Sequence, residues 1–308
     1  MARARHNSSL ALPRFGLNYP VAQAISAGLG HCDNRRAQGT NEGVVNVHGK
    51  IGPLATLRES EAAQPQARGR RSLVLRCGIH LRGLVDRLIA SSSLVANGPL
   101  LDVRDFAWTQ CLRENWRAIR DEATAVTQHS PAPPLSSISP HHWAVAPRHT
   151  WRSFFLWRHG SSIDENLGRC PVTSATIAKI PHLDSAFFSI LAPGAHIPPH
   201  RGVTKGLITC HLGLIVPRDG DARMRVADRI VRWSEGETLI FDDTYDHEAW
   251  NDTAHIRVVL LLQFRRPLRN PGKWIADAFL NILRRSVLVQ EAHLNVLAWN
   301  AATTRIAG

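Results

Sequence analysis

The 308-residue chain is poor in cysteine: Cys32, Cys77, Cys111, Cys170 and Cys210 are an odd set with no Cys-x-x-Cys pair. Such a set argues against a disulfide scaffold and a ribbon-type zinc site, and suits a reducing interior. No apolar run reaches the roughly 18–20 residues that cross a bilayer. The first residues, Met1 to His6, are basic, but no continuous apolar segment with a small-residue cleavage site follows. Internal repeats are lacking, as is the basic stripe interleaved with aromatics that nucleic-acid binding uses. These absences predict a cytoplasmic protein with no transmembrane segment and no nucleic-acid partner.

Hydrophobic residues make up 44% and charged residues 20%, which supports a folded chain rather than wholesale disorder. The formal charge of +12 is uneven. Residues 1–99 hold 13 basic and 5 acidic side chains, and residues 100–308 hold 24 and 20. The basic excess therefore belongs mainly to the first third, so the high overall charge says little about partners of the remainder.

Residues 1–98 mix Gly, Asn, Gln, Ser and Arg without sustained periodicity and read as a poorly ordered extension. A polar linker falls at 59–71 and one apolar helix face at 72–91 (Leu73, Leu75, Ile79, Leu81, Leu84, Leu88, Ile89). A domain is predicted over 99–290. It opens with an amphipathic helix at 103–126, followed by a Pro/Ser/His loop at 129–147, a strand at Trp151–Trp157 and a short helix over Thr173–Ile180. From 185 the texture changes to short strands punctuated by Gly, Asp and Pro: AFFSIL, LITCHLGLIV, MRV, IVRW, TLIF, EAW and IRVVLLLQF. That spacing predicts a mainly β fold, a double-stranded β-helix (jelly roll, cupin-like) with flanking N- and C-terminal helices. A helix at 273–289 closes the domain, and 291–308 form a tail. The Arg284-Arg285 pair and apolar face of that helix leave a peripheral membrane contact open.

Three features converge in the β-rich part. His200 and Gly202 follow a Pro-rich turn (HIPPHRG), His247 follows an acidic turn (FDDTYDHEAW), and Arg257 stands inside the last apolar strand. Two histidines on facing strands can hold a divalent metal through neutral imidazole nitrogens. An arginine buried among apolar residues demands an anionic partner. A dicarboxylate bound to the metal at one end and to Arg257 at the other satisfies both.

Residues 185–268 closely resemble the aspartyl/asparaginyl β-hydroxylase family, whose bacterial members include lipid A hydroxylase-like proteins. The likeness is carried by FFSILAPGAHIPPHRG, HLGLIVP, FDDTYDHEAWND and RVVLLLQFRRP, and weakens back through WRSFFLWRHGSSIDENLGRCP to about residue 100. The resemblance implies an iron(II)- and 2-oxoglutarate-dependent dioxygenase that uses O2 to hydroxylate an unactivated C–H of an Asp/Asn-containing peptide, an amino-acid derivative or a lipid acyl chain. It makes His200 and His247 the iron ligands, with Gly202 where many iron oxygenases place a carboxylate. It gives Arg257, helped by Ser189, the distal carboxylate of 2-oxoglutarate, and His211 the other end. The family usually carries Arg at the position of Thr209, so a cation is exchanged here for a hydroxyl, with Lys205 a candidate replacement. Asp242, Asp243 and Glu248 are candidates to orient His247, and Phe187, Phe241 and Trp250 to wall the cavity. Two alternatives stand beside this reading: a zinc or manganese isomerase or hydrolase on a cupin scaffold, and a binding module without turnover.

Overall fold

The structure is a computed structural model that describes residues 73–129, 132–139 and 150–307. The polar stretch 59–71 and the loop histidines His141, His142 and His149 lie outside the described residues. Among the described residues ten strands form: β1 (Trp151–Arg158), β2 (Ser161–Ser162), β3 (Leu183–Leu191), β4 (Ala195–His200), β5 (Leu207–Ile215), β6 (Asp221–Val226), β7 (Arg229–Arg232), β8 (Thr238–Phe241), β9 (His247–Asp252) and β10 (Arg257–Arg265). The helices are α1 (Leu73–Ser91), α2 (Thr109–His129), α3 (Leu135–Ile138), α4 (Asp164–Arg169), α5 (Pro171–Ile177), α6 (Gly272–Arg284) and α7 (Val287–Ala307).

The strands make two antiparallel sheets, a six-stranded one in the order β2-β1-β3-β10-β5-β8 and a four-stranded one in the order β4-β9-β6-β7. Both remain open at their edges. This corrects the expected jelly roll: the fold is mixed α/β, two open sheets with substantial helix, and not a closed double-stranded β-helix. Strand texture predicts strands but not closure, which depends on how edge strands pair. Helix was also under-read. The stretch expected as a tail belongs to α7, and the helix expected from 103 begins only at Thr109, after a separate 3-10 turn at Val103–Asp105 that Asp102 caps.

The central strands of the six-stranded sheet are buried on both faces, which is why they read as unbroken apolar runs. Period-two alternation sorts their side chains. Even-numbered residues (Phe188, Ile190, Cys210, Leu212, Val258, Leu260) pack against Leu112, Ile119 and Ala123 of α2. Their odd-numbered neighbours turn to the other face. There Phe187, Leu191, Val259 and Phe241 meet Ile197, Met224, Val226 and Ala249 of the four-stranded sheet. Thr209, His211, Arg257 and Ser189 have the same parity as this second set, so register alone aims all four between the sheets. Helix α2 also caps α5: both Glu122 carboxylate oxygens accept the amides of Val172 and Thr173, at 2.7 and 2.8 Å, at that helix's start.

Phe188 is fully buried against the helical layer, so Phe188→Ala is expected to cost about 3–5 kcal/mol of unfolding free energy. Denaturant titration checks this, and a loss below about 1 kcal/mol would contradict the packing described.

Candidate functional site

His200 ends β4 and His247 begins β9, and the two are cross-strand partners. Ile197 pairs with Ala249, so three steps along β4 match two along β9. The extra residue falls at Pro198-Pro199 on an edge strand, where prolines lose no ladder hydrogen bond. Without this bulge His200 would face opposite to Ile197; with it, His200 turns inward beside His247. The ring centroids lie 4.1 Å apart.

The protonation of both rings is set by their own chain. His200 Nδ1 lies 2.9 Å from the Pro198 carbonyl, and His247 Nδ1 lies 3.0 Å from the Tyr245 carbonyl. A carbonyl only accepts, so each Nδ1 carries the hydrogen and each Nε2 keeps its lone pair. Burial, then the neighbouring His247, pushes the His200 pKa down to about 3, and burial lowers that of His247. Both imidazoles are therefore neutral at physiological pH.

The odd-numbered face of the six-stranded sheet adds three more groups. His211 accepts at Nδ1 from Trp233 Nε1 at 3.1 Å, which puts its hydrogen on Nε2; that nitrogen is buried with no partner among the described residues. Arg257 is 2% exposed. Its guanidinium lies 4.6 Å over the Trp233 ring and reaches the Ser189 carbonyl only at 3.5 Å, while its Nε is unpartnered. Among the described residues Arg257 makes no ion pair, and burial lowers its pKa to about 9. Ser189 Oγ accepts from Trp151 Nε1 at 3.0 Å, leaving its own hydroxyl hydrogen free to donate. Phe241 packs edge-on between His211 and His247, at 5.0 and 5.5 Å. One continuous path thus runs from the histidine pair through Phe241, His211 and Trp233 to Arg257.

Gly202 is where the structure departs most from a simple reading. A Cβ at this residue would lie 2.0 Å from Asp243 Oδ1, so the carboxyl of Asp243 already fills the space a side chain would need. Asp243 Oδ2 accepts from Thr209 Oγ1 and Gln263 Nε2, each at 3.0 Å, and Oδ1 has no hydrogen-bond partner among the described residues. Burial, reinforced by neighbouring Asp242, raises its pKa to about 6. Thr209 thus holds a carboxyl rather than presenting a free hydroxyl.

Other expected helpers are engaged elsewhere. Lys205 donates to Asp242 at 2.6 Å and covers the Tyr245 ring, so it does not stand in for a cation at 209. Asp242 serves Lys205, Arg266 and Thr244 and touches neither histidine. Arg266 is buried on Asp242. Glu248 pairs with His196 and Arg225. Phe187 packs on Phe155 within the inter-sheet core, and Trp250 stacks on His196. Trp233 and Gln263 were not singled out from sequence. Gln263 did leave a signal, being the one polar side chain in LLLQF at the same parity as Arg257. Among the described residues no three His, Cys, Asp or Glu side chains gather to hold an ion.

Residues 113–267 match the aspartyl/asparaginyl beta-hydroxylase family. The chain is 38% identical over 207 residues to the ornithine lipid ester-linked acyl 2-hydroxylase of Rhizobium tropici, covering 67% of this chain and 74% of that protein. It is 32% identical over 165 residues to the human aspartyl/asparaginyl beta-hydroxylase, covering 52% of this chain and 21% of that protein. The match spans only about a fifth of the human protein's length. Among solved structures, a Pseudomonas putida prolyl-4-hydroxylase is 18% identical with a TM-score of 0.33, covering 51% of this chain and 88% of that one. That overlap is too small to argue from. The chain belongs to the aspartyl/asparaginyl β-hydroxylase family, a class of hydroxylase-type oxidoreductases. No described helix is long and apolar enough to cross a membrane.

The raised pKa of Asp243 has a thermodynamic sign. Its folded value of about 6 exceeds the ordinary 3.8, so stability is highest below about pH 4 and falls as pH rises through 6. The charged form then costs roughly 3 kcal/mol. Asp243→Asn in the metal-free chain should therefore be more stable than wild type at pH 8, with the gain shrinking towards pH 4.5. Denaturant titrations at both pH values check this; a pH-independent difference would contradict it.

Proposed function

We propose that the chain is an iron(II)- and 2-oxoglutarate-dependent dioxygenase that hydroxylates an unactivated C–H of a lipid acyl chain. The observation that carries the proposal is the pairing of two lone-pair nitrogens on the four-stranded sheet with two unmatched donors on the facing side of the six-stranded sheet. His200 Nε2 and His247 Nε2 have no hydrogen to give, and neutral imidazoles are what a divalent iron ligates. His211 Nε2–H and Arg257 Nε–H are buried donors without acceptors among the described residues, and the rest of the guanidinium has only the Ser189 carbonyl at 3.5 Å, a costly state that a carboxylate-bearing cosubstrate relieves. The residues present therefore fit both groups. Iron(II) bound with 2-oxoglutarate and O2 supplies an oxidant able to break such a C–H bond, with succinate and CO2 as co-products.

The chain's own residues would do the rest. Pro198 and Tyr245 hold the ring orientations, and outer partners of this kind strengthen metal binding. Arg257 and Ser189 would take the distal carboxylate of 2-oxoglutarate, and His211 would donate to its other end. Gly202 offers the metal no side chain, and the Asp243 carboxyl occupies the space beside it. Phe241 keeps the space between the histidines and His211 dry. The acyl substrate is supported by the rhizobial relative, which is named for acyl 2-hydroxylation and is aligned over most of its length. A zinc or manganese isomerase or hydrolase would not by its metal chemistry require Arg257.

Anaerobic addition of Fe(II) and 2-oxoglutarate should produce a weak visible charge-transfer band, and its absence in wild type would end the assignment. Under air, succinate should be released and one oxygen atom added to the acyl chain of an aminolipid, and His247→Ala should abolish both. Oxygen added to an Asp-containing peptide instead would move the substrate to the peptide class. Arg257→Met should raise the 2-oxoglutarate requirement by about thirtyfold or more, the factor for losing roughly 2 kcal/mol or more. An unchanged requirement would contradict the role of Arg257.

A further inference from the structure

The segment that precedes the family-matched residues touches both loops that carry the histidines. On the His200 side, Arg82 Nη2 donates to the Gly202 carbonyl at 2.6 Å, and Asp86 Oδ1 accepts the Lys205 amide at 3.2 Å. The two side chains also pair with each other at 3.6 Å, one turn apart on α1. On the His247 side, the Asp242 amide donates to the Pro99 carbonyl at 3.0 Å, and the Tyr245 hydroxyl donates to the Asn97 carbonyl at 2.6 Å. Arg266 links the two sides. It donates to the Ala96 carbonyl at 3.2 Å and to the Lys205 carbonyl at 2.8 Å while holding Asp242.

These anchors stand one step from the imidazoles. The Gly202 amide donates to the Asp243 carbonyl at 2.6 Å, tying the loop after His200 to the loop before His247. The Tyr245 carbonyl is the acceptor that orients His247. Apolar burial does not account for the attachment at 84–94: Leu84, Leu88 and Leu94 are exposed, and Ile89 alone is fully buried. Further along, Val95, Leu100 and Leu101 pack into the two cores, while directed polar contacts hold the part that meets the histidine loops.

We infer that residues 82–101 are a strap that positions the His200–His247 pair, with Arg82 and Tyr245 as its positioning residues. The inference rests on the proposed reading that the pair binds a metal. The domain boundary expected at 98/99 falls inside this strap, so the metal site extends upstream of the family-matched residues. Arg82 acts through the Gly202 carbonyl, and Tyr245 acts through its own carbonyl once its ring is fixed by Asn97.

The test is Co(II) affinity of the full chain, read from the visible spectrum of the bound ion, with the thermal midpoint measured alongside. Arg82→Met and Tyr245→Phe should each weaken Co(II) binding by about tenfold, the low end for groups that orient a metal ligand. Arg82→Lys should recover part of the loss. Arg87→Met should bind as wild type, because Arg87 on the same helix donates to the carbonyl of Gly83 in its own helix, at 3.1 Å. If Arg82→Met and Tyr245→Phe both keep wild-type Co(II) affinity, even with a lowered thermal midpoint, the strap is structural only and the inference fails. A wild-type chain that binds no Co(II) overturns the proposed function itself, a result no variant comparison reproduces.

Discussion

Each histidine of the β4–β9 pair spends its Nδ1 hydrogen on the carbonyl two residues behind it. That constraint makes two neighbouring rings useful together. With hydrogens placed freely, buried imidazoles 4.1 Å apart would present any mixture of donors and acceptors. With both Nδ1 positions committed, they present two lone pairs and no charge. The device needs a particular backbone: a bulge at Pro198-Pro199 that brings His200 inward, and a turn at Tyr245 that puts a carbonyl beneath His247. A side chain at position 202 would collide with Asp243, so glycine there is the counterpart of a carboxyl arriving from the other loop.

At the other end of the space between the sheets the constraint is electrostatic. A guanidinium 2% exposed with no carboxylate beside it among the described residues is an expensive feature to retain for packing alone. The Trp233 ring offsets part of that cost and also fixes the His211 tautomer, so one aromatic side chain sets two donors. The two ends have complementary chemistry, lone pairs at one and hydrogens at the other. A metal with a chelating dicarboxylate is the simplest occupant that uses both.

The residues of the candidate site stand out in the sequence for a definite reason. His200, His247, Arg257 and His211 are polar residues standing in apolar strands or beside turn residues, and such exceptions are visible without coordinates. The period-two parity that aims Ser189, Thr209, His211 and Arg257 to one face is equally a property of the string. What was not legible was partner choice. Nothing in FDDTYDHEAW distinguishes Asp242, which is spent on Arg266 and Lys205, from Asp243, which enters the site. The same blindness hid that the sheets stay open, because open and closed arrangements use the same strands, and it hid the contacts of residues 82–101. An apolar helix face is expected at 72–91, but Leu84 and Leu88 of that face are exposed and Ile89 is buried; the contacts with the histidine loops run through Arg82, Asp86 and main-chain carbonyls that the string does not mark.

The most direct measurement of the central claim is the anomalous-scattering position of Co(II) in crystals of the full chain. The expected result is one peak at about 2.0–2.2 Å from both His200 Nε2 and His247 Nε2. A peak that engages either Nδ1, or that sits on other residues with the pair bare, would contradict the claim.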